Sequence, residues 1–175
     1  MRKILSFYLL LAVFVINSGA GCGGRTTDEP ESSAQAFLRM KINGKTWAAT
    51  GKISGVAGKV PGIATQGIIS FSGDSGKDNL TVNIYGTTSP GTYTILPQNA
   101  NNSVAALSLS DGSVNGNYLS TKAPGSSLTV KVTQASDTRV SGTFSGTLNL
   151  EYALGTGTAG PTTVTITDGE FSTID

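Results

Sequence analysis

From Phe37 onward the apolar residues recur with a period of two, and that spacing constrains the chain more than any other feature. Leu38, Met40 and Ile42 alternate with Arg39 and Lys41, and Leu80, Val82 and Ile84 with Thr81, Asn83 and Tyr85. Val130 and Val132 lie between Thr129, Lys131 and Thr133, while Phe144, Leu148 and Leu150 oppose Thr143, Thr147 and Asn149. Val164 and Ile166 stand among Thr163, Thr165 and Thr167. Alternate residues of an extended strand point to opposite faces, so each run is a strand with one apolar and one threonine-rich face. No stretch after the first twenty-odd residues carries a helical stripe. Turn chemistry separates the runs at Gly73-Asp74-Ser75-Gly76, Ser89-Pro90-Gly91, Asp111-Gly112, Pro124-Gly125 and Asp168-Gly169. Asn43-Gly44 is the pair for a type I′ hairpin, with Trp47 on the returning strand. The expectation is an all-β fold, an antiparallel β-sandwich or meander barrel of roughly eight to ten strands, forming a single domain over residues 37–175.

The first segment follows other rules. Arg2 and Lys3 precede an apolar run from Ile4 to Ile16, and Ser18, Gly19, Ala20, Gly21 and Cys22 follow. A positive flank, a short apolar stretch and small residues make a secretory signal peptide. The run falls short of the roughly 20 residues a membrane-spanning helix needs. Gly19-Ala20-Gly21-Cys22 resembles the lipobox of bacterial lipoproteins, with Gly19 where a leucine is usual. Cys22 is the only cysteine in the chain and stands where the diacylglycerol-bearing cysteine stands in such signals. The implied organisation is a lipoprotein signal peptide over residues 1–21, then a lipidated cysteine and flexible tether over 22–36. The alternative is secretion after cleavage at Ala20, with Cys22 a free thiol. Residues 23–36 (GGRTTDEPESSAQA) are polar and lack apolar periodicity, as a tether requires.

Composition removes several classes of activity. The 175 residues contain no histidine, which excludes Ser-His and Cys-His nucleophiles and imidazole-ligated metal sites. One cysteine forms no intrachain disulfide and no thiolate cluster. The formal charge is +1; loss of Arg2 and Lys3 with the leader leaves 10 basic against 11 acidic groups, a formal −1. Neither value is the basic footprint of a nucleic-acid-binding protein.

Motif matches reduce to turns. Gly155-Thr156-Gly157-Thr158-Ala159-Gly160 matches the dinucleotide fingerprint, but Pro161 and a β-branched run follow where that motif needs a helix. Asp74 to Asn79 faintly resembles a calcium loop, with Gly76 at the third position and Tyr85 at the twelfth, where oxygen ligands are required. A carboxylate pair drawn from Asp111, Glu151, Asp168 and Glu170 is the one catalytic route left, and solvated turn acids explain these residues as well. Trp47, Tyr85, Tyr93, Tyr118 and Tyr152 are the aromatics available for stacking on a sugar, with core or sheet-face packing as the alternative. Trp47, Tyr93 and Tyr118 are the candidates for ligand binding. No catalytic residue, metal or cofactor is implied.

Four segments carry a resemblance. Phe37-Leu38-Arg39-Met40-Lys41-Ile42-Asn43-Gly44-Lys45-Thr46-Trp47-Ala48-Ala49, Pro90-Gly91-Thr92-Tyr93, Val140-Ser141-Gly142-Thr143-Phe144-Ser145 and Thr167-Asp168-Gly169-Glu170-Phe171-Ser172 resemble, in order and spacing, the motifs of a family of small Bacteroidota lipoproteins of unknown function. The resemblance implies a lipid-anchored all-β domain and no catalytic residue. The expected function is a non-catalytic structural or ligand-binding module of the cell envelope, lipid-anchored at the outer membrane on its periplasmic or outer face. The alternatives are a carbohydrate-binding or carbohydrate-active protein and an adhesion or protein-interaction module. The implied partners are the membrane, through the N-terminal lipid, and a glycan or envelope protein; nucleic acid is not among them.

Overall fold

Period-two patterning becomes eleven strands in the computed structural model, which describes residues 35–59, 66–98, 102–110, 115–121, 124–154 and 159–174. The strands are β1 (Phe37–Ile42), β2 (Lys45–Ala48), β3 (Ile53–Lys59), β4 (Gly67–Ser75), β5 (Asp78–Tyr85), β6 (Gly91–Ile95), β7 (Val104–Ser110), β8 (Asn115–Leu119), β9 (Ser127–Ala135), β10 (Val140–Tyr152) and β11 (Thr163–Ser172). Ala34–Asp175 form one compact unit. The leader, Cys22, Asp111-Gly112 and the 155–158 part of the glycine-rich stretch lie outside the described residues.

All strand pairs are antiparallel, in the order β2-β1-β11-β10-β8-β7-β5-β4-β3, with β9 on β10 and β6 on β9. The branch arises on β10, which is 13 residues long. Along one edge its first part, Val140 to Thr147, pairs with β9, and its last part, Asn149 to Tyr152, pairs with β8. Glycine makes that possible. A Cβ at Gly142 would strike the Lys131 carbonyl and one at Gly146 the Ser127 carbonyl, both in β9. A side chain there would push β9 off the sheet.

The sheet curls into a half-barrel, and its inner faces meet around three phenylalanines. Phe71 of β4 stacks on Phe171 of β11 with ring centroids 3.8 Å apart and planes 7° apart. Phe144 of β10 lies tilted at 5.7 Å from Phe71. These rings bridge strands from separate parts of the sheet order, so β4 faces β10 and β11 across the interior. Leu38, Met40, Ile69, Leu80, Val82, Ile84, Leu107, Leu128, Val130, Leu148, Val164 and Ile166 complete the apolar filling. Each buried side chain of this size stabilises the fold by about 1.5–3 kcal/mol. The curl is fastened by backbone bonds outside the ladders. Thr50 N and Gly51 N both donate to Asp74 O at 2.9 Å, and Ala57 N of β3 donates to Ser136 O at 2.9 Å. The last contact covers part of an edge strand that would otherwise offer unpaired amides.

Two turn assignments shift. Gly73, Asp74 and Ser75 belong to β4 and pair with Leu80, Asn79 and Asp78, so the connection is only Gly76-Lys77. Gly76 has φ +63°, the first-position glycine of a tight two-residue hairpin. Asp168-Gly169 does not separate strands either. It is a bulge within β11, where the chain gains one residue against both β1 and β10. Asp168 takes the left-handed conformation there, at φ +52°.

Candidate functional site

A recess in the described surface is assembled around the first hairpin. Asn43 and Gly44 have φ of +49° and +82°, the two left-handed residues of a type I′ turn. The Asn43 side chain then ties the tip to β11: its Oδ1 accepts from Thr165 N at 2.8 Å, and its own backbone N donates to Thr165 O at 2.9 Å. The register that follows sets Met40 opposite Trp47 and Ile42 opposite Lys45. Trp47 therefore turns inward and is only 8% exposed.

Across from the hairpin stand the start of β5 and the end of β7. Asp78 is half-buried; its Oδ1 accepts from Ser110 N at 2.7 Å, holding the carboxylate beside Leu109. Between these elements lies a recess of about 200 Å³. Its buried lining is Ile42, Trp47 and Leu109, and its accessible lining includes Asn43, Lys45, Thr46 and Asp78. Trp47 Nε1 is buried without a hydrogen-bond partner among the described residues. An unpartnered buried donor costs about 1–3 kcal/mol.

The other aromatic candidates lie on different strands. Tyr118, on β8, is fully buried; its ring packs over Gly116, and its hydroxyl has no partner among the described residues. Burial raises the pKa of that phenol, because the ionised form loses its hydration. Tyr93, on β6, folds its ring over Gly91 and braces the preceding turn, donating to Ser89 O at 2.6 Å and sharing a 2.9 Å bond with Thr87 Oγ1. The Pro90-Gly91-Thr92-Tyr93 segment thus has a structural role: glycine leaves room for the ring and the hydroxyl closes the turn. Tyr152 is the exposed tyrosine of the set.

Two of the candidate acids, Asp168 and Glu170, are each paired with a cation. Asp168 and Glu170 border a shallow polar furrow on the outer face, together with Lys131, Thr129, Thr143 and Thr167. Lys41 Nζ lies 2.9 Å from Asp168 Oδ2, and Arg39 contacts Glu170 through both Nε and Nη2. The Asp168 hydrogen bond and charge hold the Lys41 pKa above its ordinary value. Asp74 accepts a hydrogen bond from Asn79 Nδ2 across the β4–β5 hairpin, so these two residues fasten the turn. Downstream of the glycine-rich stretch, the chain continues into β11.

Compared with known protein families, with curated proteins and with solved structures, the chain matches none of them. Its functional reading rests on its own residues. Sequence patterning pointed to Trp47. It did not point to Asp78 and Leu109 as its neighbours, because β5 and β7 meet the first hairpin only through the curl of the sheet. Asp78 had one local signal, its place beside a tight turn.

Proposed function

We propose that this protein is a lipid-anchored β-module of the bacterial cell envelope, acting by binding or by structure rather than by catalysis. The observation that carries the reading is the place of its only cysteine. Cys22 directly follows Gly19-Ala20-Gly21 at the end of a charged and then apolar leader, ahead of a polar stretch and a β-domain. The domain itself supports a non-catalytic role in two ways. Its interior is filled with side chains, and its candidate acids Asp168 and Glu170 are neutralised by Lys41 and Arg39 on an open surface. The motif resemblance to Bacteroidota lipoproteins points the same way and favours the outer membrane.

The test is Cys22→Ala expressed with the native leader. The variant is expected in the soluble fraction, without label from a fatty-acid probe, while the parent is labelled and sediments with membranes. Equal labelling and sedimentation of the two would remove the reading. Binding is favoured over a purely structural role by the amphipathic recess at Trp47.

A further inference from the structure

We infer that the recess between the first hairpin and the β5/β7 ends binds a single neutral sugar ring, such as the terminal residue of a glycan. The inference deepens the binding form of the proposed function and does not depend on the lipid anchor. Size sets the first condition. A recess of about 200 Å³ lies below the roughly 300–1,000 Å³ of sites for drug-sized ligands and suits one ring rather than an extended molecule.

The lining sets the second. Ile42, Trp47 and Leu109 supply buried apolar surface on one side, and Asn43, Lys45 and Asp78 supply polar groups at the opening. A sugar ring has the same division, with C–H surface on its faces and hydroxyls around its edge. The polar groups also match hydroxyl chemistry. Asp78 spends Oδ1 on Ser110 N, and Oδ2 has no hydrogen bond among the described residues. Asn43 spends Oδ1 on Thr165 N, which leaves its amide N–H groups to donate. Lys45 makes no ion pair among the described residues. One carboxylate acceptor with amide and ammonium donors fits adjacent hydroxyls, each of which both donates and accepts.

The rim charges balance. Asp78 and Lys45 supply one carboxylate and one ammonium, so the recess has no net preference for either sign of charge, and a neutral polyhydroxylated ring can use both as hydrogen-bond partners. Trp47, which lines the recess, also carries a buried Nε1 donor without a hydrogen-bond partner among the described residues.

Trp47 is the only tryptophan in the chain, so indole emission reports on this recess alone. The experiment titrates the full-length protein in lauryldimethylamine oxide micelles, which carry no sugar headgroup. The probes are glucose, galactose, mannose and N-acetylglucosamine, each taken to high millimolar concentration. At least one is expected to change the emission saturably. Asp78→Asn keeps an oxygen to accept from Ser110 N but loses the charge, and should weaken that sugar by at least about tenfold. Lys45→Met, on the exposed part of an edge strand, should weaken it as well and provides a second variant if the first loses its fold. No saturable change with any of the four sugars, or parental affinity in both variants, overturns the inference. Cys22→Ala should titrate as the parent does, so failure of sugar binding and failure of lipid anchoring are read separately.

Discussion

The phenylalanine cluster and the Trp47 recess belong to the same interior but are built on opposite terms. Phe71, Phe144 and Phe171 come from β4, β10 and β11, carry no polar atom and satisfy one another by packing. Trp47 is buried almost as deeply, yet it brings an N–H that finds no partner among the described residues and lies under a rim of Asn43, Lys45 and Asp78. Tyr118 shares the second character through its buried hydroxyl, which has no partner among the described residues. The difference separates what holds the fold from what the fold can be used for. A region that only needs stability is best filled by hydrocarbon, whereas a buried polar atom lowers stability unless it is hydrogen-bonded.

The largest effect should therefore come from breaking the phenylalanine cluster. Phe71→Ala removes the ring that joins β4 to both β10 and β11 and leaves a cavity between them. It should cost about 3–5 kcal/mol, measured as a lower urea midpoint with an unchanged slope. A cost below about 1 kcal/mol would mean that this stack does not hold the curl of the sheet.

Tyr118→Phe tests the other side of the comparison and should behave quite differently. It deletes a hydroxyl that makes no hydrogen bond among the described residues, so stability should stay within about 1 kcal/mol of the parent or rise. Its sharper readout is alkaline pH. The folded state holds the phenol neutral and raises its pKa above the ordinary 10.0. Its contribution is therefore fully present below pH 10 and is lost as pH climbs through the raised value. The parent should lose stability over that range, and Tyr118→Phe should lose less. Identical alkaline unfolding curves would show that Tyr118 is not the group responsible.

Smallest of all should be Lys41→Met at the β11 bulge. The Lys41–Asp168 contact is solvent-exposed, and exposed pairs contribute little and are screened by salt. Its raised pKa implies a contribution present below pH 10.5 and lost as pH rises through the folded value. The variant should differ slightly from the parent in dilute buffer and not at all in concentrated salt. A difference that survives salt would show that the lysine stem, rather than its charge, packs against the bulge.

Much of the fold was legible in the chain. The alternation at Phe37–Ile42 became β1 with those bounds, and Asn43-Gly44 became the type I′ turn it specifies. The runs at 80–84, 130–132, 144–150 and 164–166 fall in β5, β9, β10 and β11. Gly73-Asp74-Ser75 misled because turn-forming residues also occur in strands when their neighbours keep the ladder, as Leu80, Asn79 and Asp78 do here. Asp168-Gly169 misled for a related reason. A left-handed residue ends a hairpin when the chain reverses and makes a bulge when strands on both sides hold it, and only the flanking β1 and β10 distinguish the two.

The candidate site was legible only as a list of aromatics. Sequence placed Trp47 on the returning strand of the first hairpin and offered Tyr93 and Tyr118 for stacking or for packing, but could not tell an interior ring from one bracing its own turn. Tyr93 required Ser89 and Thr87 to be close, which depends on how the β5–β6 connection folds back.

By itself the sequence determined the class of structure, because alternation and turn chemistry are properties of neighbouring residues. It also determined the exclusions that follow from missing histidines and a lone cysteine, since absent side chains are absent in every conformation. Tertiary structure decided the rest. It set the eleven-strand order, the sharing of one edge of β10 between β8 and β9, and the meeting of the hairpin with Asp78 and Leu109. Those are contacts between residues far apart in the chain, fixed by how a twisted sheet closes over its apolar face rather than by local preference.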